Sequence, residues 1–262
     1  MKNKKIIILS ASRFSALTLS VSNLILDSDY DIKSIICKNI YSGKVLKKQF
    51  KQEGLNLFYK IYKKIILQIF SFSDFQSKKL DGFSSYHKKI YKNGYKSVKK
   101  LCKKAKIEFF ETDDFHSKDI LNMISSYNPD LIVFTGGGII KESLLKIPKI
   151  GILNCHMGIL PNYRGLDSTY WALKNNDFNN VGLTTHLMDK GIDTGPIIKK
   201  YPIQSEKIKN LSLEEINKII EYKVADSIIE SVNLIFDDKF KTQKQFKSEG
   251  KLYFKKNSNK KR

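Results

Sequence analysis

The residues best suited to chemistry are an amide and an imidazole one position apart, Asn154 and His156, at the end of the apolar run 150–155. A carboxylate, Asp193, follows in a glycine-rich stretch. Residues i and i+2 of a strand share a face, so the amide and the imidazole project together from the strand's carboxyl end, where open α/β sheets hold their ligands. Asp193 sits with Asp189, Gly191 and Gly195 in a segment too rich in turn residues to be helix. From such a loop a carboxylate can fold back toward an imidazole on a neighbouring strand. An amide can donate to a developing oxyanion, and an imidazole titrates near neutrality and can shuttle a proton. A carboxylate beside it orients the ring and favours its protonated form. Taken singly, the same residues also read as a satisfied strand-end histidine and a turn aspartate.

Periodicity supplies the elements that must position them. Residues 5–9 predict a buried parallel strand, residues 10–13 a turn, and residues 16–26 a helix. A strand at 106–111, a helix at 117–127 and a buried strand at 131–135 continue the alternation, and the glycines of 136–138 precede a short helix at 142–146. After Pro161, Arg164 and Gly165 force an irregular turn, residues 167–174 read as a short helix with Asp167 as its cap. Two short β-type runs within 181–198 flank the Asp193 loop. Ser212 and Glu215 form a capping box before the apolar stripe Leu213, Ile216, Ile220, Val224, Ile228, Val232 and Ile235. Residues 250–254 add a short strand, and residues 257–262 fray. Repeated strand and helix units predict an α/β fold with a doubly wound, mostly parallel sheet. The expected organisation is a catalytic domain over 1–205, with a lysine-rich helical insertion at about 43–104, and a C-terminal helix with a basic tail over 206–262. That helix packs on the sheet or forms a homodimer seam.

Composition bounds the function class. Three scattered cysteines, Cys37, Cys102 and Cys155, make neither a disulfide framework nor a metal cluster, and they point to a reducing, cytoplasmic setting. The basic start and short apolar run at the N-terminus read as a strand rather than a secretory signal, and no stretch is long enough to span a bilayer. The net charge of +21 is concentrated in two places. Residues 44–104 hold 17 Lys against 3 acids, and residues 239–262 hold 10 Lys and Arg against 1 acid, so the remaining body is nearly neutral. Within the first of these, Phe58, Ile61, Tyr62, Ile65, Ile66, Ile69 and Phe70 make an apolar stripe opposite Lys60, Lys63 and Lys64. Such a helix packs on the domain with its lysines in water, or meets a nucleic acid or an anionic surface.

Three blocks carry a resemblance: Asn154-Cys-His-Met-Gly-Ile-Leu-Pro-Asn-Tyr-Arg-Gly165, then Gly182-Leu-Thr-Thr-His186, then Asp189-Lys-Gly-Ile-Asp-Thr-Gly195. Their order and spacing resemble the core signature of the folate-dependent formyltransferases, a family that includes glycinamide ribonucleotide, methionyl-tRNA and nucleotide-linked amino-sugar formyltransferases. The resemblance implies transfer of a formyl group from 10-formyltetrahydrofolate to a primary amine without a metal. It makes Asn154, His156 and Asp193 the catalytic residues, and Gly137, Gly138, Ile139 and Asp189 parts of the folate pocket. Tyr163, Arg164, His186, Ser12 and Arg13 become candidate contacts of the acceptor. Where glycinamide ribonucleotide enzymes carry a glycine-rich phosphate loop, residues 10–13 contain no glycine, which weighs against that acceptor. His186 and the shortness of the C-terminal region favour a small acceptor, a nucleotide-linked amino sugar, over tRNA. A tRNA enzyme using the basic segments, a hydrolase of the same donor and a non-enzymatic binding protein are the alternatives.

Overall fold

A computed structural model describes residues 4–28, 30–39, 42, 81–91, 95–237, 240–246 and 249–254. The apolar stripe at 58–70 and the tail at 257–262 lie outside these residues.

Strand β1 (Lys5–Ser10) lies in the interior of a seven-stranded sheet. Its isoleucines are fully buried because both faces of the sheet are covered, and the strand alternation sorts them. Ile6 and Ile8 join one apolar layer with Leu19, Leu101 and Ile216. Ile7 and Leu9 join another with Phe115, Ile124 and Leu144. Two cores on opposite faces of one sheet are what doubly wound packing produces.

The other elements take their places around β1. Helix α1 (Ala16–Asp27), capped by Ser15, leads to β2 (Asp31–Lys38), which pairs parallel with β1. Next come α2 (Gly82–Ile90) and α3 (Val98–Ala105), capped by the side chains of Asp81 and Ser97. Then follow β3 (Glu108–Thr112), α4 (Lys118–Ser126), β4 (Leu131–Thr135), the short α5 (Glu142–Leu145) and β5 (Gly151–His156). A small strand β6 (Tyr163–Gly165) and α6 (Ser168–Lys174) precede β7 (Gly182–Leu187) and β8 (Ile197–Pro202). The order across the sheet is β3-β2-β1-β4-β5-β7-β8. The first five strands are parallel, and β7 and β8 are antiparallel to their neighbours.

Helix α7 (Leu213–Phe236) begins with the expected capping box, in which Ser212 and Glu215 exchange hydrogen bonds. It lies across α1 and α2 and buries Ile216, Ile220, Val224, Ile228, Val232 and Ile235 in the larger core. Gly82 at the start of α2 is pressed against α7, where a Cβ would come within 2.3 Å of the Lys218 carbonyl oxygen. The chain then returns as β9 (Lys251–Tyr253), which pairs parallel with β6 in a separate two-stranded sheet.

One local expectation is corrected. Asp167 occupies the N-cap position of α6, but it adopts a left-handed conformation and its side chain accepts no capping hydrogen bond from the helix. A left-handed φ departs from the extended conformation in which a cap side chain reaches the first helical amides.

The turn before β9 supports a prediction. Gly250 has φ 84° and approaches Pro161 so closely that a Cβ would lie 1.9 Å from its carbonyl oxygen. Gly250→Ala is expected to cost about 2 kcal/mol, and to be read as faster proteolysis of the C-terminal strand in a protein whose main sheet still unfolds cooperatively.

Candidate active site

The site is built where β5 and β7 run side by side. Their register sets Asn154 opposite His186 and His156 opposite Thr184. Because β5 alternates, Asn154 and His156 face the loops at the sheet's mouth. Cys155 packs into the larger core, and burial pushes its thiol well above the ordinary range, so it is no nucleophile. The loop between β7 and β8 brings Asp193 back over both strands.

Four side chains form a chain of contacts. Asn154 Nδ2 lies 3.1 Å from His186 Nε2. His186 Nε2 is 3.6 Å from Asp193 Oδ1, and Asp193 Oδ2 is 3.3 Å from His156 Nδ1. His156 Nε2 lies 2.7 Å from the carbonyl oxygen of Tyr163 and 3.1 Å from Ser168 Oγ. The three residues singled out from the sequence are thus brought together, with His186 between the amide and the carboxylate.

The acceptors assign the protons. A carbonyl oxygen only accepts, so His156 carries its first proton on Nε2, against Tyr163, and takes a second on Nδ1, where Asp193 receives it. His186 Nδ1 lies 3.0 Å from the Leu187 carbonyl oxygen. That nitrogen therefore carries the proton, and Nε2 accepts from Asn154. The Asn154 amide is oriented by this bond, and its second N–H remains uncommitted among the described residues.

Burial lowers the His156 pKa below the ordinary histidine value, against the opposing pull of the Asp193 carboxylate and the Tyr163 carbonyl. The pull of Asp193 toward the protonated form is the expected one, but the ring is only 8% exposed and burial sets the net direction. Burial also works against the Asp193 carboxylate, yet the imidazoles of His186 and His156 beside it and the Gly165 amide hold its carboxyl below the usual range. The Gly165 N–H donates to Oδ2 at 2.9 Å.

These directions give a pH prediction. A buried histidine with a lowered pKa takes up a proton more readily when unfolded, so stability falls as pH drops below the unfolded value of about 6.5 toward the folded one. His87, outside the site, is lowered by burial in the same way. Denaturant titrations between pH 7 and pH 5 are expected to show stability decreasing with acid, with a shallower slope in His87→Gln.

The remaining sequence candidates fall into two groups. Gly136, Gly137 and Gly138 all have positive φ, Ile139 is 83% exposed beyond them, and a Cβ on Gly138 would meet nothing within 4 Å. This loop offers an open backbone beside the exposed side chain of Ile139, and Met157 and Ile192 are also exposed apolar side chains. Asp189 instead holds its own loop, accepting from Gly191 N at 3.0 Å and Thr194 Oγ1 at 2.6 Å. Tyr163 and Arg164 turn inward. The Tyr163 hydroxyl donates to Asp177 Oδ2 at 2.9 Å, and Arg164 Nη2 donates to the Phe246 carbonyl at 2.9 Å. Ser12 is buried, and Arg13 pairs with Glu111 at 3.6 Å at the carboxyl end of the parallel strands.

Some site residues went unnoticed in the sequence. Thr184 accepts from Leu160 N and donates to the Gly158 carbonyl, pinning the loop after β5. Its position two residues before His186 on one strand face was a usable signal. Ser168, at the first turn of α6, and Gln245, far along the chain, carried none. Among the described residues no group of His, Cys, Asp and Glu is arranged to hold a metal, and no helix is long and apolar enough to cross a membrane.

Comparison with known proteins places this site in context. The family model described as formyl transferase matches residues 83–229. The methionyl-tRNA formyltransferase of Clostridioides difficile is 32% identical over 145 residues, which is 55% of this chain and 46% of that protein. The bifunctional polymyxin resistance protein ArnA of Wigglesworthia glossinidia brevipalpis is 38% identical over 114 residues, 43% of this chain and 17% of that protein. The chain spans about half the length, or less, of these curated relatives. Among solved structures, a sugar N-formyltransferase from a Shewanella species aligns over 95% of this chain and 76% of its own, with TM-score 0.57 and 15% identity. Glycinamide ribonucleotide transformylase 1 from Symbiobacterium toebii aligns over 93% and 95%, with TM-score 0.56 and 14% identity. At these identities the likeness is one of fold.

Proposed function

Because the chain belongs to the formyl transferase family, whose model covers more than half of it, we propose that it is an N-formyltransferase. It moves a formyl group from 10-formyltetrahydrofolate to the primary amine of a small substrate, a nucleotide-linked amino sugar. The observation that carries this reading is the chain of contacts from Asn154 through His186 and Asp193 to His156. It sets an amide donor beside a proton-carrying imidazole, the two groups that acyl transfer to an amine requires.

The folate donor, when bound, supplies an activated formyl group. The open backbone at Gly138 and the exposed side chain of Ile139 next to it suit a flat, mostly apolar ring system. Asn154 donates its uncommitted N–H to the oxygen that becomes negative as the amine attacks. His156 takes the amine's proton on Nδ1, where Asp193 balances the charge, and returns it to the leaving nitrogen. Burial keeps the imidazole neutral and therefore competent as a base near neutral pH. Asn154, His156 and Asp193 are the catalytic residues of this proposal, and His186 orients the amide.

A second reading has its own support. Several curated relatives are methionyl-tRNA formyltransferases, and the lysine-rich segments suit a phosphate backbone. One experiment separates the readings: tetrahydrofolate release from 10-formyltetrahydrofolate with nucleotide-linked aminodeoxy sugars, glycinamide ribonucleotide, charged initiator tRNA, or no amine. Release dependent on an amino sugar supports the proposal. Release dependent on tRNA and falling steeply with salt selects the second reading, and release without any amine makes the protein a hydrolase. No release under any condition would overturn the enzymatic assignment.

A further inference from the structure

The chain beyond α7 does more than close the fold. Residues 240–246 and 249–254 lie against both loops that hold the catalytic groups. Gln243 exchanges two backbone hydrogen bonds with Ile197, each 2.8 Å, at the start of β8. Two residues on, Gln245 is 9% exposed, and its Nε2 reaches the carbonyl oxygens of Asp193 at 3.1 Å and Gly195 at 2.5 Å. Further on, Gly165 pairs with Tyr253 across β6 and β9, and Leu166 N donates to the Tyr253 carbonyl at 3.0 Å.

Asp193 needs such support. It is one of few non-glycine residues here with positive φ, 54°, a conformation that costs about 1 kcal/mol or more unless the surroundings impose it. Its loop must also bring one carboxylate within reach of two imidazoles. A single side-chain amide donating to the carbonyls on either side of Thr194 fixes the loop's backbone. The orientation of that amide is unambiguous, since the reverse would set Gln245 Oε1 against two carbonyl oxygens. Oε1 is instead left buried without a hydrogen bond among the described residues, a desolvation cost incurred to place the Nε2 donors.

We propose that Gln245 is a positioning residue for the catalytic site, holding the Asp193 loop so that the carboxylate meets His156 and His186. It touches no reacting atom and acts through Asp193. As a statement about catalysis the proposal rests on the formyltransferase reading, but its geometric content does not.

The test reads the site directly. The chain contains four histidines, so the imidazole signals of full-length protein can be assigned with single His→Gln variants and titrated by NMR. Gln245→Met keeps the side chain's length and removes both N–H groups. In that variant the His156 titration is expected to move to lower pH, in the direction given by Asp193→Asn, while His87 and His116 titrate as in the wild type. His156 faces Asp193, the Tyr163 carbonyl and Ser168, with His186 beyond Asp193, so loss of the carboxylate is the change this readout detects. With the acceptor found above, kcat should fall about 10²-fold with KM within a few-fold, as expected for a misplacement of about 1 Å. If Gln245→Met does not fold, the titration is made on Gln245→Leu, which also removes both N–H groups without adding a charge. An unmoved His156 titration in a folded variant overturns the proposal, and so does loss of the fold in both variants. Absence of formyl transfer in the wild type would count against the functional reading alone, because the titration still judges Gln245.

Discussion

Replacing His156 with alanine is expected to lower formyl transfer about 10³-fold, within the range that a positioned acid–base group contributes. Both kcat and kcat/KM should fall together, since the proton is moved only as the reaction proceeds. The arrangement explains why the loss is not made up by a neighbour. His186 is 1% exposed, with its Nδ1 at the Leu187 carbonyl and its Nε2 accepting from Asn154, so taking over as base would release the amide that it orients. Removing the ring also strips Tyr163 O of a donor, which should cost about 1–3 kcal/mol of stability without unfolding the chain. Steady-state rates with the acceptor found above, alongside denaturant titrations, check both parts. A variant within fivefold of wild type would remove His156 from the chemistry.

The second large effect is expected at Asn154. Asn154→Ala should lower kcat about 10²–10³-fold, the loss typical of a deleted oxyanion donor, with little change in KM for the folate donor. Asn154→Asp should be at least as damaging, because a carboxylate cannot donate and would lie in a site that already holds Asp193. The contact with His186 adds a further expectation. Since Nε2 of His186 orients the amide at 3.1 Å, His186→Ala should reproduce part of the Asn154→Ala loss. The double variant should then be no worse than Asn154→Ala alone, as for residues that act as a unit. Additive losses would mean that His186 acts independently of the amide.

Much of this arrangement was legible from local pattern. Buried strands β1 and β4 announced themselves as apolar runs, the Ser212 and Glu215 pair marked the start of α7, and alternation along β5 set Asn154 and His156 on one face with Cys155 on the other. These are features that backbone geometry imposes within a few residues. Local pattern set Asn154 and His156 on one face and Asp193 in a turn-rich loop, and the resemblance to the folate-dependent formyltransferases implied that the three act together.

The tertiary structure alone decided the rest. The contact between Asn154 and His186 depends on the antiparallel register of β5 and β7, which no local period encodes. The partners of Arg164 and Tyr163, the Phe246 carbonyl and Asp177, were not visible in the sequence either, the first of them because it comes from the distant C-terminal segment. Gln245 meets the Asp193 loop across a sequence separation of about fifty residues, through a backbone crossing set by where α7 ends. The charge of His156 was likewise undetermined, because a neighbouring carboxylate and burial act in opposite directions. A sequence names the first of these and leaves the second open, for burial depends on everything that packs around the ring.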